Sequence, residues 1–234
     1  GTVYLCLEPF STIRKISWIN KVYSTLKVGE WSILLDTDEL LVYDNYEIIS
    51  INDVLKAFDK NNITTGAAIM IDMFSNKPSQ RESYIDNYVY FENCFHEEKS
   101  FFFNSIYGGI REREFKFKKG RIFLIKKHPV VKKEEDTMLI HCHYIYPFKR
   151  NFQSQIYFGL LHYKLFDSEF EKYKKFAQEG NYADESIEYK NYMKAFADKT
   201  YEQIFAIGKN TELYNGTESL KKINCLQDVG EIMQ

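Results

Sequence analysis

An α/β fold is predicted by three features of the sequence. Apolar runs of strand length recur, amphipathic stretches of helical spacing separate them, and two of the runs stop at acidic residues. The first run, Val3-Tyr4-Leu5-Cys6-Leu7, reads as a short buried strand stopped by Pro9. Ser11 is placed to cap a helix with Ile13, Ile16, Ile19, Tyr23 and Leu26 on one face, and Gly29 is its stop. Trp31-Ser32-Ile33-Leu34-Leu35 follows as a strand ending in Asp36-Thr37-Asp38-Glu39. Ser50-Ile51-Asn52-Asp53 has the form of a capping box ahead of Val54, Leu55 and Phe58. Ala67-Ala68-Ile69-Met70-Ile71 is a second continuous apolar strand, ending at Asp72. Strands and helices that alternate in this way predict parallel pairing, with strands buried on both faces.

Beyond Asp72 the pattern changes. Ser75-Asn76-Lys77-Pro78-Ser79 is loop material. Aromatic segments follow at Tyr88-Val89-Tyr90-Phe91 and Phe101-Phe102-Phe103. Gly108-Gly109 leads into alternating Arg111, Arg113, Phe115 and Phe117, which predicts a hairpin or extended edge. Ile122-Phe123-Leu124-Ile125 and Leu139-Ile140 are further strand candidates. From about residue 150 the spacing turns helical, first through Phe152, Ile156, Phe158 and Leu161. Phe170, Tyr173 and Phe176 share a later face closed by Gly180, and Tyr189, Tyr192, Met193 and Phe196 form another stripe, continued by Tyr201, Ile204 and Phe205. The predicted organisation is therefore an α/β core over residues 1–150 and a helical C-terminal extension over residues 151–234.

Composition narrows the function classes. The 234 residues carry 31 Lys and Arg against 33 Asp and Glu, so a dedicated nucleic-acid binder is not expected. Between Arg111 and Lys133, however, ten basic residues face two acidic ones, a local stripe suited to a compact anionic ligand or to a solvated strand face. Cys6, Cys94, Cys142 and Cys225 are scattered, without the spacing of a zinc ribbon or a disulfide framework, and read as reduced thiols of a cytoplasmic protein. No apolar run approaches the roughly 18–20 residues that span a bilayer.

The Asp36-x-Asp38 pair carries the chemistry. It follows a buried strand, and ligands of open α/β sheets bind beyond the carboxyl ends of strands. Unpaired, two such carboxylates repel each other; a hard divalent cation relieves that, and Mg²⁺ or Mn²⁺ does so while also holding phosphates, the alternative being a strand-end turn capped by solvated acids. Two enzyme classes use the arrangement: a glycosyltransferase, whose metal neutralises a departing diphosphate, and a phosphohydrolase, whose first Asp is a nucleophile. The phosphohydrolase of haloacid-dehalogenase type expects Gly-Thr next, where Glu39-Leu40 stand, and a late strand ending in paired acids, which is not found after residue 140. Arg111 and Arg113 flank a glycine turn and suit phosphate recognition, with Lys127 adding charge.

The sequence resembles bacterial family 2 glycosyltransferases, in the branch with an Asp-x-Asp-Glu motif. Residues 31–43, Trp-Ser-Ile-Leu-Leu-Asp-Thr-Asp-Glu-Leu-Leu-Val-Tyr, look like its metal-site segment. Trp18-Ile19-Asn20 fits the helix before it, and Met70-Ile71-Asp72-Met73-Phe74-Ser75 the next strand. Gly108-Gly109-Ile110-Arg111-Glu112-Arg113 fits the arginine segment and Lys127-His128-Pro129 the strand after it. His141 to His143, Leu160-Leu161-His162-Tyr163-Lys164 and Glu188-Tyr189 fit the C-terminal part, so the likeness runs over roughly residues 10–220. It implies a GT-A type, Rossmann-like mixed sheet flanked by helices. The implied activity is metal-dependent, inverting transfer of a sugar from a nucleotide-diphosphate donor, a UDP-sugar above all. The acceptor would be a saccharide or a lipid-linked molecule, in cell-envelope polysaccharide synthesis. The family opens with a strand and loop that hold the nucleotide base, and little of that precedes Val3, so the chain is expected to be incomplete at its N-terminus and inactive as it stands.

Carried onto this sequence, the likeness puts Asp36 and Asp38 at the metal, with Glu39 anchoring their turn. His162 would complete the shell, with His141 and His143 competing for that place; a nitrogen ligand favours Mn²⁺ over Mg²⁺. Lys164 would meet phosphate as a point charge, and Arg111, Arg113 and Lys127 would hold the donor. Inverting transfer needs a general base, for which Asp72 is the first candidate and Glu112 the second. His96 and His128 are expected at the surface. The basic and aromatic mix of Lys172, Tyr173, Lys174, Lys175 and Phe176 suits either a solvated helix face or peripheral contact with the inner face of a membrane. The alternatives to a glycosyltransferase are the Asp-x-Asp phosphohydrolase and a non-catalytic sugar- or nucleotide-binding relative.

Overall fold

The computed structural model describes residues 3–78, 84–101, 103–116, 123–152 and 155–234. Along these the chain runs α1 (Thr12–Tyr23), β1 (Trp31–Ile33), β2 (Glu39–Tyr43), α2 (Ile51–Lys60), β3 (Thr65–Asp72), α3 (Tyr84–Asn87), β4 (Tyr90–Glu92), β5 (Phe95–Lys99) and β6 (Asn104–Gly108). It continues through α4 (Gly109–Phe115), β7 (Lys126–Lys132), β8 (Met138–His141), β9 (Tyr144–Tyr146), β10 (Ile156–His162), α5 (Phe170–Glu179), α6 (Ala183–Asp198), α7 (Tyr201–Ile204), β11 (Thr211–Leu213), α8 (Thr217–Lys222) and α9 (Gly230–Met233). A mixed sheet in the order β1-β7-β3-β10-β2, flanked by helices, makes this an α/β fold.

Burial explains the sheet's centre. Every residue of β3 and β10 is buried, so both strands are apolar without alternation, as central strands covered on both faces must be. Phe158 of β10 meets Phe58 of α2 at 5.8 Å and Tyr43 of β2 at 5.9 Å, ring centre to ring centre. Its ring also crosses Gly66 of β3, where a Cβ would stand 2.4 Å from Cε2, so only glycine fits there. Helix α2 turns Val54, Ala57 and Phe58 into this core, and Ser50 caps it by accepting from the Asp53 amide at 3.2 Å. Ser11 caps α1 in the same way, from Arg14 at 3.3 Å. A second apolar cluster joins Ile110 and Phe115 of α4 to Tyr173, Tyr189, Tyr192 and Phe205. Gly180, left-handed at φ +68°, ends α5 as expected.

Several sequence expectations are corrected. Parallel pairing holds only for β3 with β10; β1 with β7, β7 with β3, and β10 with β2 are antiparallel. Residues 3–7 form no strand, and Val3, Leu5 and Leu7 are more than four-fifths exposed because nothing packs on them. The run from Trp31 leaves the sheet after Ile33, so Asp36 and Asp38 lie in the turn between two strands. Residues 156–162 are a central strand and not a helix, since a fully buried apolar run has no period that separates the two. The helical part accordingly starts at Phe170, and a boundary at residue 150 would separate β10 from the sheet it completes. Gly108-Gly109 opens helix α4 where a hairpin was expected, and α1 stops at Tyr23, short of Leu26. Leu124 forms one isolated bridge, to Tyr107, and the strand proper begins at Lys126. Ser79, Phe102, Phe117 and Ile122 lie outside the described residues. Among the described residues no helix is long and apolar enough to cross a membrane.

The Phe158 packing can be checked directly. Phe158→Ala is expected to lower unfolding stability in urea by about 3–5 kcal/mol. A loss under about 1.5 kcal/mol would show that the ring is not the centre of this core.

Candidate active site

The parallel pair brings the carboxyl ends of β3 and β10 level, with His162 opposite Asp72 as the last pair of the ladder and Glu39 of β2 opposite His162 on its other side. A cavity of about 920 Å³ opens over this end of the sheet. Its lining includes Asp36, Asp38 and Glu39 from the turn, Lys127 from β7, Arg111 from α4, His162 and Lys164 from the end of β10, and Glu188 from α6.

Asp72 is fully enclosed. Its Oδ1 accepts from His162 Nδ1 at 2.6 Å and its Oδ2 from Arg111 Nε at 2.8 Å. Burial alone would raise the Asp72 pKa, but Arg111 and His162 outweigh it and hold the group ionised. The bond fixes the imidazole with its proton on Nδ1, leaving Nε2 to face Asp38 Oδ2 at 3.4 Å. Burial pushes the His162 pKa down, yet bonds to Asp38 and Asp72 more than offset this and hold it above the ordinary value. Asp38 responds in the opposite sense: burial opposes ionisation, His162 and Lys164 favour it, and its pKa falls to about 2. The main-chain carbonyl of Asp38 is also tied down, accepting from the Tyr163 amide at 2.8 Å.

Asp36 is held by cations. Its Oδ1 accepts from Lys15 at 2.5 Å and its Oδ2 from Lys127 at 3.0 Å. Against the effect of burial, the two lysines depress its pKa far below the usual carboxylate range. Glu39 anchors the turn as expected, bonding Lys127 through Oε1 and accepting from the Asp36 amide at 3.1 Å through Oε2. Lys15, on α1, was not singled out in the sequence; its only signal is its place on the polar side of that helix.

A second network stands on the helical side. Glu188 Oε1 accepts from Arg111 Nη1 at 3.1 Å, from Lys164 Nζ at 2.9 Å and from the Tyr192 hydroxyl. Burial would raise the Glu188 pKa, but Lys164 and Arg111 drive it well below the usual range. The sequence matched Glu188 to a family segment without giving it a role. Its signal was an acid set among Tyr189, Tyr192 and Phe196 on an otherwise aromatic helix face.

Other expected site residues fall elsewhere. Asp72 lies under the cavity floor, does not line it and has both oxygens engaged, so it positions His162 and is not placed as a base. Glu112 pairs with Lys116 at 2.8 Å outside the cavity. Arg113 turns away to Glu92, Glu114 and the carbonyls of Ile204 and Ala206, with Phe74 under its guanidinium, because successive helical residues face different sides. His141 and His143 do line the cavity, their rings 5.5 Å apart, but His143 Nδ1 donates to the Lys126 carbonyl at 2.9 Å. His128 is buried and not at the surface; burial takes its pKa down to about 4, and its Nδ1 donates to the His143 carbonyl. His96 is exposed, as expected.

The donor set can be tested against a divalent ion. Ligands about 2.1 Å from one ion stand roughly 3.0–3.5 Å apart, and Asp38 Oδ2 and His162 Nε2 meet that spacing. His162 also has a carboxylate behind it, the arrangement that orients metal-binding imidazoles. Asp36 fits less directly, because both its oxygens are bonded to lysines. Among the described residues no three His, Cys, Asp or Glu side chains are grouped to hold a metal, so two protein ligands are the most this set offers. Seven acidic side chains (Asp36, Asp38, Glu39, Glu98, Glu169, Asp184, Glu188) and five basic ones (Lys15, Arg111, Lys127, Lys164, Lys172) line the cavity among the described residues.

Compared with known proteins, the chain matches no family model, no curated protein and no solved structure.

The His162 contacts fix a pH dependence. A pKa raised on folding means stabilisation that is complete below the unfolded value of 6.5 and lost as pH rises through the higher folded one. The melting temperature of the metal-free protein is therefore expected to fall as pH rises from 6.5, and His162→Gln to flatten that fall. A profile unchanged by His162→Gln would contradict the assignment.

Proposed function

We propose that this protein is a metal-dependent glycosyltransferase of GT-A type that moves a sugar from a nucleotide-diphosphate donor to a saccharide or lipid-linked acceptor. The observation that carries this reading is the row Asp72–His162–Asp38, an imidazole oriented from behind by a buried carboxylate and facing a second carboxylate across 3.4 Å on a cavity floor. Asp38 and His162 would hold Mn²⁺ or Mg²⁺ there, with the donor's diphosphate oxygens and water filling the other positions. When bound, the ion supplies charge neutralisation for the leaving diphosphate. Lys127 and Lys15 keep Asp36 ionised beside that charge, and Arg111, paired with Asp72, brings a guanidinium to the same cavity. The phosphohydrolase reading is less well supported, because its nucleophile would be Asp36, whose two oxygens are engaged by ammonium groups.

A non-catalytic sugar- or nucleotide-binding relative is the second reading, favoured by one observation: neither Asp72 nor Glu112 lines the cavity as a base would. Turnover separates the two. Release of UDP from a panel of UDP-sugars in the presence of Mn²⁺ supports transfer, and binding without release supports the relative.

Two outcomes test the site. Mn²⁺ and UDP together are expected to raise the melting temperature, and Asp38→Ala to abolish that rise. Asp72→Asn is expected to weaken Mn²⁺ binding by about 10–100-fold, read by calorimetry, because it removes the negative charge behind His162 and leaves one acceptor oxygen for two donors, His162 and Arg111. Hydrolysis of p-nitrophenyl phosphate that Asp36→Asn removes would overturn the proposal in favour of a phosphohydrolase.

A further inference from the structure

Glu188 is used unevenly. Three donors, Arg111, Lys164 and Tyr192, converge on its Oε1. Among the described residues none of the hydrogen bonds reaches Oε2, although the side chain lines the cavity and keeps 29% exposure. The carboxylate is thus a fixed anion with one oxygen left for something in the cavity. Beside it stand ring faces from two helices and the N-terminal segment. Tyr182 packs 4.8 Å from Phe10, 4.6 Å from Phe176 and 4.9 Å from Tyr189, and all four line the same cavity. Their planes meet at 38°, 46° and 68°, so they form a faceted wall and not a parallel slot. A flat nucleobase stacks best between parallel faces. A sugar ring presents an apolar C–H face to aromatic facets and a rim of hydroxyl donors to an anionic acceptor. Asp38 lines the same cavity as this wall.

We infer that the α5–α6 wall is a saccharide subsite, in which Tyr182 and its neighbouring rings take the apolar face of a sugar and Glu188 Oε2 accepts a hydroxyl. The inference rests on the transfer reading only in naming the bound sugar as the acceptor, which fixes the acceptor class as a saccharide and leaves the diphosphate to the Asp38 end.

Glu188→Gln is a sharp probe. The amide nitrogen cannot face three donors, so the glutamine carbonyl must take the Oε1 position and its NH₂ the Oε2 position. The substitution then turns the open acceptor into a donor and leaves the packing alone. The experiment is saturation-transfer NMR on the whole chain with Mg²⁺ and UDP present, using the methyl glycosides of glucose, galactose and N-acetylglucosamine as probes. At least one glycoside is expected to receive saturation from aromatic protons. Glu188→Gln is expected to weaken its binding by about tenfold. Tyr182→Leu, which leaves the ion network intact, is expected to weaken the glycoside to a similar extent while UDP affinity stays within about twofold, with folding checked by circular dichroism. UDP binding with no glycoside binding would overturn the subsite and leave the proposed function standing. Glycoside binding without UDP binding would support the subsite and overturn the transfer reading. Variants that weaken UDP and spare the glycoside would overturn the inference by assigning the wall to the nucleotide.

Discussion

The buried carboxylate of Asp72 is the constraint on which the rest of this site depends. It ends β3, reaches His162 across the one parallel pair of the sheet and receives Arg111 from α4. Without its two partners a buried anion there would be very unfavourable, and without Asp72 the His162 Nδ1–H would lose its acceptor and Arg111 one of its two carboxylates. Arg111 passes the order on to Glu188 and so to α6 and Lys164. One carboxylate therefore connects the sheet, the arginine helix and the helical C-terminal part, and sets which nitrogen of His162 faces the cavity.

The charge arrangement argues for a site rather than for stability. Buried ion networks rarely add net stability over well-packed apolar side chains, because desolvation offsets most of the attraction. This cavity nevertheless holds Asp36, Asp38 and Glu39 within one short turn. Lys15 and Lys127 neutralise the outer two, and among the described residues the remaining carboxylate, Asp38, faces His162, whose pKa it raises, and the more distant Lys164. On the proposed reading, the Asp38 end of the floor is where a divalent ion would bind.

Much of this was legible in the sequence for physical reasons that also explain the failures. Asp36-x-Asp38 and Asp72 were visible because each follows an apolar run, the end at which open α/β sheets bind their ligands. The order of the strands was not legible: β7 inserts between β1 and β3, and that depends on contacts far apart in the chain. The β10 segment was read as helix because a strand buried on both faces has no alternation to betray it. That error also placed His162 on a helix, although its grouping with Asp36 and Asp38 matches the cavity that all three line. Arg111 and Arg113 were paired on the assumption of an extended chain, in which they would share a face. In helix α4 they diverge, and only Arg111 reaches the cavity. Glu188 could be found only by asking why an acid interrupts an aromatic stripe.

The central claim is that His162, oriented by Asp72, offers Nε2 to a divalent ion shared with Asp38. Pulsed electron paramagnetic resonance of the protein with Mn²⁺ and UDP tests it most directly. The account predicts nitrogen coupling from one directly bound imidazole, lost in His162→Gln. A manganese shell of oxygen alone, unchanged by that substitution, would contradict it.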